Sequence, residues 1–552
     1  MSASRADAGA LTLAVVMLRW LRSVRGTIRW CRGVPGYVRK VKTASGATAV
    51  QIVEKRGGVR RIVEHIGSAH TDAELAVLMQ TARDRLHEGQ QVLDLDVGAG
   101  VDADAAGPDT RSSGGSLAGA VVVGTASQVL WDVLSDAYTR LGFGAVGDEA
   151  FKSLVLARII EPTSKLAAIG VLEEIGMPAP HRNTFTAALK RCITRDYRST
   201  LAIACMRHSA STAAGRLSLV LYDCTTLYFE TDTEDELRRV GMSKERRVDP
   251  QVQVGLLVDP GGFPLEVHCF EGNTAETKTL IPVLQAFQER HGVADMVVVA
   301  DAGMLSAANL NDLEDAGFWF IVGSRITKAP YDLAEHFDRH GDYFTDGQIL
   351  ESTRVMGTGR KARERRVVYQ WSFKRQKRDN RAINKLIERA EKVADGTRPL
   401  KKDRFVKIDG ATRGVDWDLV ERARQLAGLK GYVSNPSTDT MTGQAVISAY
   451  HDLWQVERSF RMAKSDLRAR PVFHHQRDSI EAHLTVVFAA LAISRHLQDT
   501  TDVSIKKLVR TLRLLRTVQI NVGGHIITAA PQITGTARDI LDQLPPINAP
   551  GH

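Results

Sequence analysis

Cysteine is scarce in this chain: five in 552 residues (Cys31, Cys192, Cys205, Cys224 and Cys269), an odd number with no C-x-x-C pair. That excludes a disulfide framework and a zinc site built on paired cysteines, and it fits a reducing, cytoplasmic setting. Long apolar runs are missing too. The stretch "ALTLAVVMLRWL" at 10–21 is too short to span a bilayer and lacks a small-residue cleavage site. No membrane partner is therefore expected, and residues 1–35 read as an N-terminal extension. No internal repeat is present, which argues against a solenoid or propeller.

What the chain has is length and positive charge. Its 552 residues exceed what one compact core usually holds. A net charge of +9 favours an anionic partner, with nucleic acid ahead of a membrane surface.

The texture changes along the sequence. Residues 36–92 form a small basic module, with β-like runs and turn signals at Ser45-Gly46 and Gly57-Gly58, then a helix from about Asp72 to His87. Residues 93–125, rich in Gly, Ala, Ser and Asp, read as a linker. Apolar spacing is helical over 126–214, giving a helical domain suited to binding DNA. From 215 to 325 strands dominate ("LVLYDCTTLYFE", "QVQVGLLV", "MVVVADAG", "FWFIVGSR"), with one helical piece up to His291, so an α/β fold with a mixed sheet is expected. Residues 326–432 break the pattern and read as a β-rich insertion. Residues 433–500 resume the core with one long helix, Gly443 to Asp466, and an apolar helix from Ile480 to Leu497. Residues 501–552 form a C-terminal tail of helix, hairpin and helix.

Three carboxylates stand out. Asp223 and Asp301 each close an apolar strand, where ligands and catalytic groups collect in open sheets. Glu457, on a continuous helix, would share a face with Tyr450, Leu453 and Trp454 and so would point inward. A buried carboxylate needs a cation. The choice is an i, i+4 ion pair with Arg461 or a metal. Oxygen ligands with no Cys or His cluster suit Mg²⁺ or Mn²⁺, and two such ions activate an attacking oxygen and stabilise the leaving oxygen of a phosphodiester.

The order Asp, Asp, Glu on strand, strand and helix resembles the DDE transposases of bacterial insertion sequences, and more narrowly the IS-four superfamily with its Y-xx-R-xxx-E-xxxxxx-K signature. Here the signature reads Tyr450, Leu453, Glu457 and Lys464. Leucine stands where the family has arginine. Asp301 and Glu457 lie far apart in sequence, like the family's acids around its β-rich insertion, and "DAGMLSAAN" and "GYVSNPS" add to the likeness. The resemblance implies an RNase H-like core, catalytic and metal-holding roles for Asp223, Asp301 and Glu457, and two bound ions, Mg²⁺ or Mn²⁺. It implies cleavage at terminal inverted repeats, strand transfer into target DNA, a homodimer on DNA, and a nucleoid-associated place in a bacterial cytoplasm. Tyr450 and Lys464 would hold DNA-end phosphates, with Arg461 a substitute for the missing arginine.

A basic tract from Arg360 to Arg378 is interleaved with Tyr369, Trp371 and Phe373. Its basic residues (Arg360, Lys361, Arg363, Arg365, Arg366, Lys374, Arg375, Lys377 and Arg378) are expected to contact phosphates, and the aromatics to be strand core. Two other readings stay open: an RNase H-like nuclease without strand transfer, and a DNA-binding derivative impaired in catalysis, which Leu453 suggests.

Overall fold

The computed structural model describes residues 37–42, 48–56, 59–69, 78–79 and 81–82, and then 121–546 apart from short gaps at 213–218, 232, 242–247, 294–295, 302–305, 325–332, 342, 400–402, 410–411, 471, 473 and 523. The N-terminal extension and most of the linker and of the helix expected at 72–87 lie outside the described residues. The chain divides into two units, Met1–Gly114 and Gly115–His552.

In the first unit, β1 (Tyr37–Lys42), β2 (Thr48–Arg56) and β3 (Val59–Ala69) form an antiparallel sheet in chain order. Val50, Ile52 and Val53, with Ala49 and Ala69, are buried in it. The alternation expected of the basic module is thus seen as strands.

The second unit opens with β4 (Val121–Ala126), inside the stretch expected to be linker. Helices follow: α1 (Gln128–Arg140), α2 (Glu149–Ile160), α3 (Ala167–Glu174), α4 (Arg182–Thr194) and α5 (Tyr197–Thr212). Asp148 starts α2 by accepting the Ala150 and Phe151 N–H groups. It also receives Arg191 at 2.7 Å and the Tyr197 hydroxyl at 2.9 Å, tying three helices to one carboxylate.

The sheet then begins: β5 (Leu219–Tyr228), β6 (Gln251–Val258), β7 (Pro264–Glu271), α6 (Leu280–His291), β8 (Val297–Ala300), α7 (Ala307–Asp315) and β9 (Trp319–Ser324). After α8 (Ala334–His340) come β10 (Ile349–Met356), β11 (Arg363–Trp371), α9 (Phe373–Ala394), β12 (Val406–Asp409), β13 (Thr412–Val415), α10 (Trp417–Gln425) and β14 (Leu429–Ser434). Eight strands make one sheet in the order β10-β11-β14-β9-β8-β5-β6-β7. Among the described residues only β5–β8 and β8–β9 pair parallel. The run Val297–Ala300 is buried throughout, as a central parallel strand requires.

The region 326–432 is not simply β-rich. β10 and β11 extend the main sheet through β14, while the 22-residue α9 packs with α10, β12 and β13 around a small core that includes Ile387, Phe405 and Val420. Its Ile383, Ile387 and Ala390 recur at helical spacing and are buried, whereas the lysines and arginines of its first turns are not.

The chain closes with α11 (Gly443–His451), α12 (Trp454–Ser465), α13 (Arg477–Thr501), α14 (Ile505–Arg513), β15 (Thr517–Val522), β16 (His525–Ala529) and α15 (Gly535–Gln543). α13 packs on α1, α2, α4 and α5 and on β7, joining the helical layer to the sheet; it is long and apolar, and it lies buried inside the protein. β15 pairs with both β16 and β4, so the expected tail folds back on the end of the expected linker. One continuous core runs from Leu130 to Ile540.

Candidate active site and nucleic-acid interface

β5 and β8 run parallel with Leu219 opposite Val297 and Leu221 opposite Val299. Continuing the same stagger by two residues sets Asp223 beside Asp301, at the carboxyl end of β8. Side chains alternate along a strand, so Asp223, Thr225 and Leu227 share a face of β5. Thr225 and Leu227 line a small cavity with Phe460, Ala463 and Lys464 of α12, so that face lies under α12. Asp223 is half-buried and accepts the Cys224 N–H at 2.8 Å. On the opposite face, Tyr222 donates to Thr279 at 2.8 Å, and Cys224 lies 3.1 Å from the Tyr222 hydroxyl. Burial pushes the Cys224 thiol up to about 12. It is a neutral core group and no nucleophile.

Asp301 is exposed and accepts the Tyr450 hydroxyl at 3.0 Å. Tyr450 lies in the last turn of α11, and α11 and α12 are two helices where one was expected. Between them the Leu453 N–H bonds to Tyr450 O and the Gln455 N–H to Asp452 O, a tightened turn with Leu453 buried. The turn also changes which face of α12 is wet. Leu453, Val456, Phe460 and Ala463 face the core, Trp454 is 52% exposed, and Glu457 and Arg461 are exposed. The inward position expected for Glu457 is therefore incorrect, because Trp454 does not belong to the apolar stripe. No ion pair joins Glu457 to Arg461 among the described residues.

The β5–β8 pairing ends at Leu221 and Val299, two residues short of Asp223 and Asp301, and β5 runs on to Tyr228, so Asp223 lies inside its strand and does not close it as expected. Among the described residues no group of three His, Cys, Asp or Glu is placed to hold a metal ion, so Glu457 is not gathered with the two aspartates into such a group. The two aspartates match a hard divalent cation in donor chemistry. Lys464 is half-buried beside Thr225 and Leu227.

The basic tract divides in two. In β11, Arg363 pairs with Glu314 and Asp315, Arg365 with Glu314 and Arg366 with Glu351. Those arginines hold the sheet together, contrary to a phosphate role for the whole tract. Tyr369 and Trp371 are buried as strand core, while Phe373 is 48% exposed at the start of α9. Lys374, Arg375, Lys377 and Arg378 of α9 line a cleft of about 440 Å³ with Arg381, Lys430, Tyr432 and His451. Lys430 was missed in the sequence. Its signal was the one that singled out Asp223: a charge inside an apolar strand, "LKGYVS". His474 lines a separate small cavity with Arg158, Lys165 and His483. Burial pushes His474 down to about 4, and His475 lies 3.3 Å from Arg238.

A family model described as "Transposase DDE domain" matches residues 215–493, just over half of the chain. No curated protein matches. Similar solved structures include a piggyBac transposase synaptic complex with hairpin DNA, at 10% identity over 68% of this chain and 70% of that chain, with a TM-score of 0.33. The Mos1 transposase paired-end complex with left transposon end is 16% identical over 46% of this chain and 67% of that chain, with a TM-score of 0.15. At such TM-scores neither likeness decides anything about this chain.

Proposed function

This chain belongs to the Transposase DDE domain family, and we propose that it is a transposase that cuts DNA at the terminal inverted repeats of an insertion sequence and joins the freed end to target DNA. The observation that carries this reading is the parallel pairing of β5 with β8, whose stagger continued by two residues leads to Asp223 and Asp301, within the segment matched to the family. The strand order β7-β6-β5-β8-β9, three antiparallel strands followed by two parallel additions, supports an RNase H-like core.

In this reading Asp223 and Asp301 hold Mg²⁺ or Mn²⁺, with Glu457 as a third carboxylate brought in when DNA is bound. A divalent ion there supplies polarisation of the phosphodiester and activation of the attacking oxygen. The chain's own part is placement. β5 and β8 fix the two aspartates rigidly, and Tyr450 holds the Asp301 carboxylate by its hydroxyl. Arg461, Lys464 and the cations of α9 bind DNA phosphates, which orients the strand before chemistry. DNA is the partner, a homodimer brings two ends together, and the working place is the bacterial cytoplasm.

The experiment uses full-length protein, Mg²⁺ and a pre-cut DNA end taken from the sequence flanking the gene. Joined product with a target plasmid supports transposition. Hydrolysis without joining would assign the chain to nucleases instead. The derivative reading has one observation in its favour, the burial of Leu453, and it predicts end binding with neither reaction.

A further inference from the structure

Lys430 lies in β14, opposite Gln370 of β11, and its strand neighbour Tyr432 faces Gly323 of β9. Its ammonium is 5.2 Å from the centre of the Tyr450 ring and 5.9 Å from that of Tyr432. Gly323 makes room for this arrangement. A Cβ there would stand 3.1 Å from the Lys430 ammonium and collide with the Tyr450 hydroxyl. That same hydroxyl bonds Asp301. Lys430, Tyr450 and Asp301 are thus consecutive in space, although they come from a strand, a helix and a strand end.

On its other side Lys430 faces the cleft. Arg375 and Arg378 share a single acid, Asp379, at 3.4 and 3.6 Å. Lys374, Lys377 and Arg381 have no carboxylate partner among the described residues. The arginines of β11, one element earlier, are matched to carboxylates. Like charges crowded without acids repel one another, and an anion of matching charge relieves the repulsion. Burial, then the charges of Arg375 and Arg378, hold Lys430 below the usual lysine range, while Asp301 opposes them. The cleft therefore favours a polyanion, and Lys430 in its lining connects it through Tyr450 to Asp301.

We propose that this cleft seats the sugar–phosphate backbone of the DNA strand adjoining the phosphodiester at Asp301, with Lys430 the positioning residue at the junction. The proposal rests on the DNA-cutting function above and adds a site outside the signature helix. Lys430 takes the phosphate nearest the aspartates, and the α9 cations take those beyond.

The test measures binding of the full-length protein to a fluorescein-labelled oligodeoxynucleotide, single-stranded and duplex, across a salt series. Lys430→Gln should weaken binding about threefold to tenfold and flatten the slope of log K against log salt by about 0.7 to 0.9, as one lost phosphate contact requires. Lys430→Arg should keep most of both. Arg381→Ala, at an exposed position with no fold role to lose, should flatten the slope by a similar amount. Arg339→Ala, outside the cleft and paired with Glu335, should change neither. Wild-type slopes in both Lys430→Gln and Arg381→Ala would overturn the proposal while leaving the transposase reading intact. If Lys430→Gln melts early, Arg381→Ala decides alone. A wild-type chain that binds neither DNA form would overturn both.

Discussion

A charge inside an apolar strand is costly unless the fold uses it, and Asp223 and Lys430 both fit that description. Leu453 is the converse, an apolar residue where the signature carries arginine. It is 9% exposed and belongs to the stripe of Val456 and Phe460. Leu453→Arg should therefore lower the melting temperature, by roughly 3 kcal/mol or more of stability, since it buries an unpaired charge. Stronger end binding with an unchanged melting temperature would show instead that the position opens toward DNA. Asp148 shows the same physics with a paired charge. Burial would raise its carboxyl, but the Phe151 N–H, Arg191 and Tyr197 outweigh it and hold the carboxyl below its ordinary value. A depressed carboxyl contributes stability above the unfolded-state value, about 3.9, and loses it as pH falls through the folded-state value. Asp148→Ala should cost about 2–3 kcal/mol at pH 7, from a lost cap and two lost hydrogen bonds. Melting curves of the variant and the parent should converge below pH 4.

At the scale of elements, β11 is held to α7 by a buried ion pair. Arg365, 2% exposed, donates to both carboxylate oxygens of Glu314, at 2.8 and 3.0 Å. Glu314→Leu alone should cost about 3–5 kcal/mol, because Arg365 stays buried without its acid. Adding Arg365→Met should recover part of that loss, read as a higher denaturation midpoint in the double variant than in Glu314→Leu. Much of this level was legible in the sequence. The run "MVVVA" and the alternation around Asp223 announce strands through burial alone, and the expected apolar helix at 480–497 is the centre of α13. The single helix expected over 443–466 was not legible. Its apolar spacing continues past Tyr450, and only the tertiary demand that Leu453 be buried and Tyr450 reach Asp301 tightens the turn. The division of the basic tract was hidden for a similar reason, since Glu314 and Glu351 are distant in sequence from the arginines they neutralise. The pairing of Asp223 with Asp301 depends on strand register, which neither segment encodes alone.

For the whole molecule, a net charge of +9 is unevenly spent. The β11 arginines are matched to acids within the fold, whereas Lys374, Lys377 and Arg381 of α9 have no carboxylate partner among the described residues. A long-range attraction to nucleic acid should follow, weakening as salt rises. Beyond attraction, the central claim is that Asp223, inside β5, and Asp301, just past β8, carry the chemistry. It is tested most directly by Mg²⁺-dependent cleavage of DNA bearing the gene's own flanking ends, with the parent chain, Asp223→Asn and Asp301→Asn compared at matched DNA binding. The account predicts that the parent cuts and that each variant binds but loses cleavage by about a thousandfold or more, as removal of a metal-holding carboxylate requires. Near-parental cleavage by either variant would contradict it.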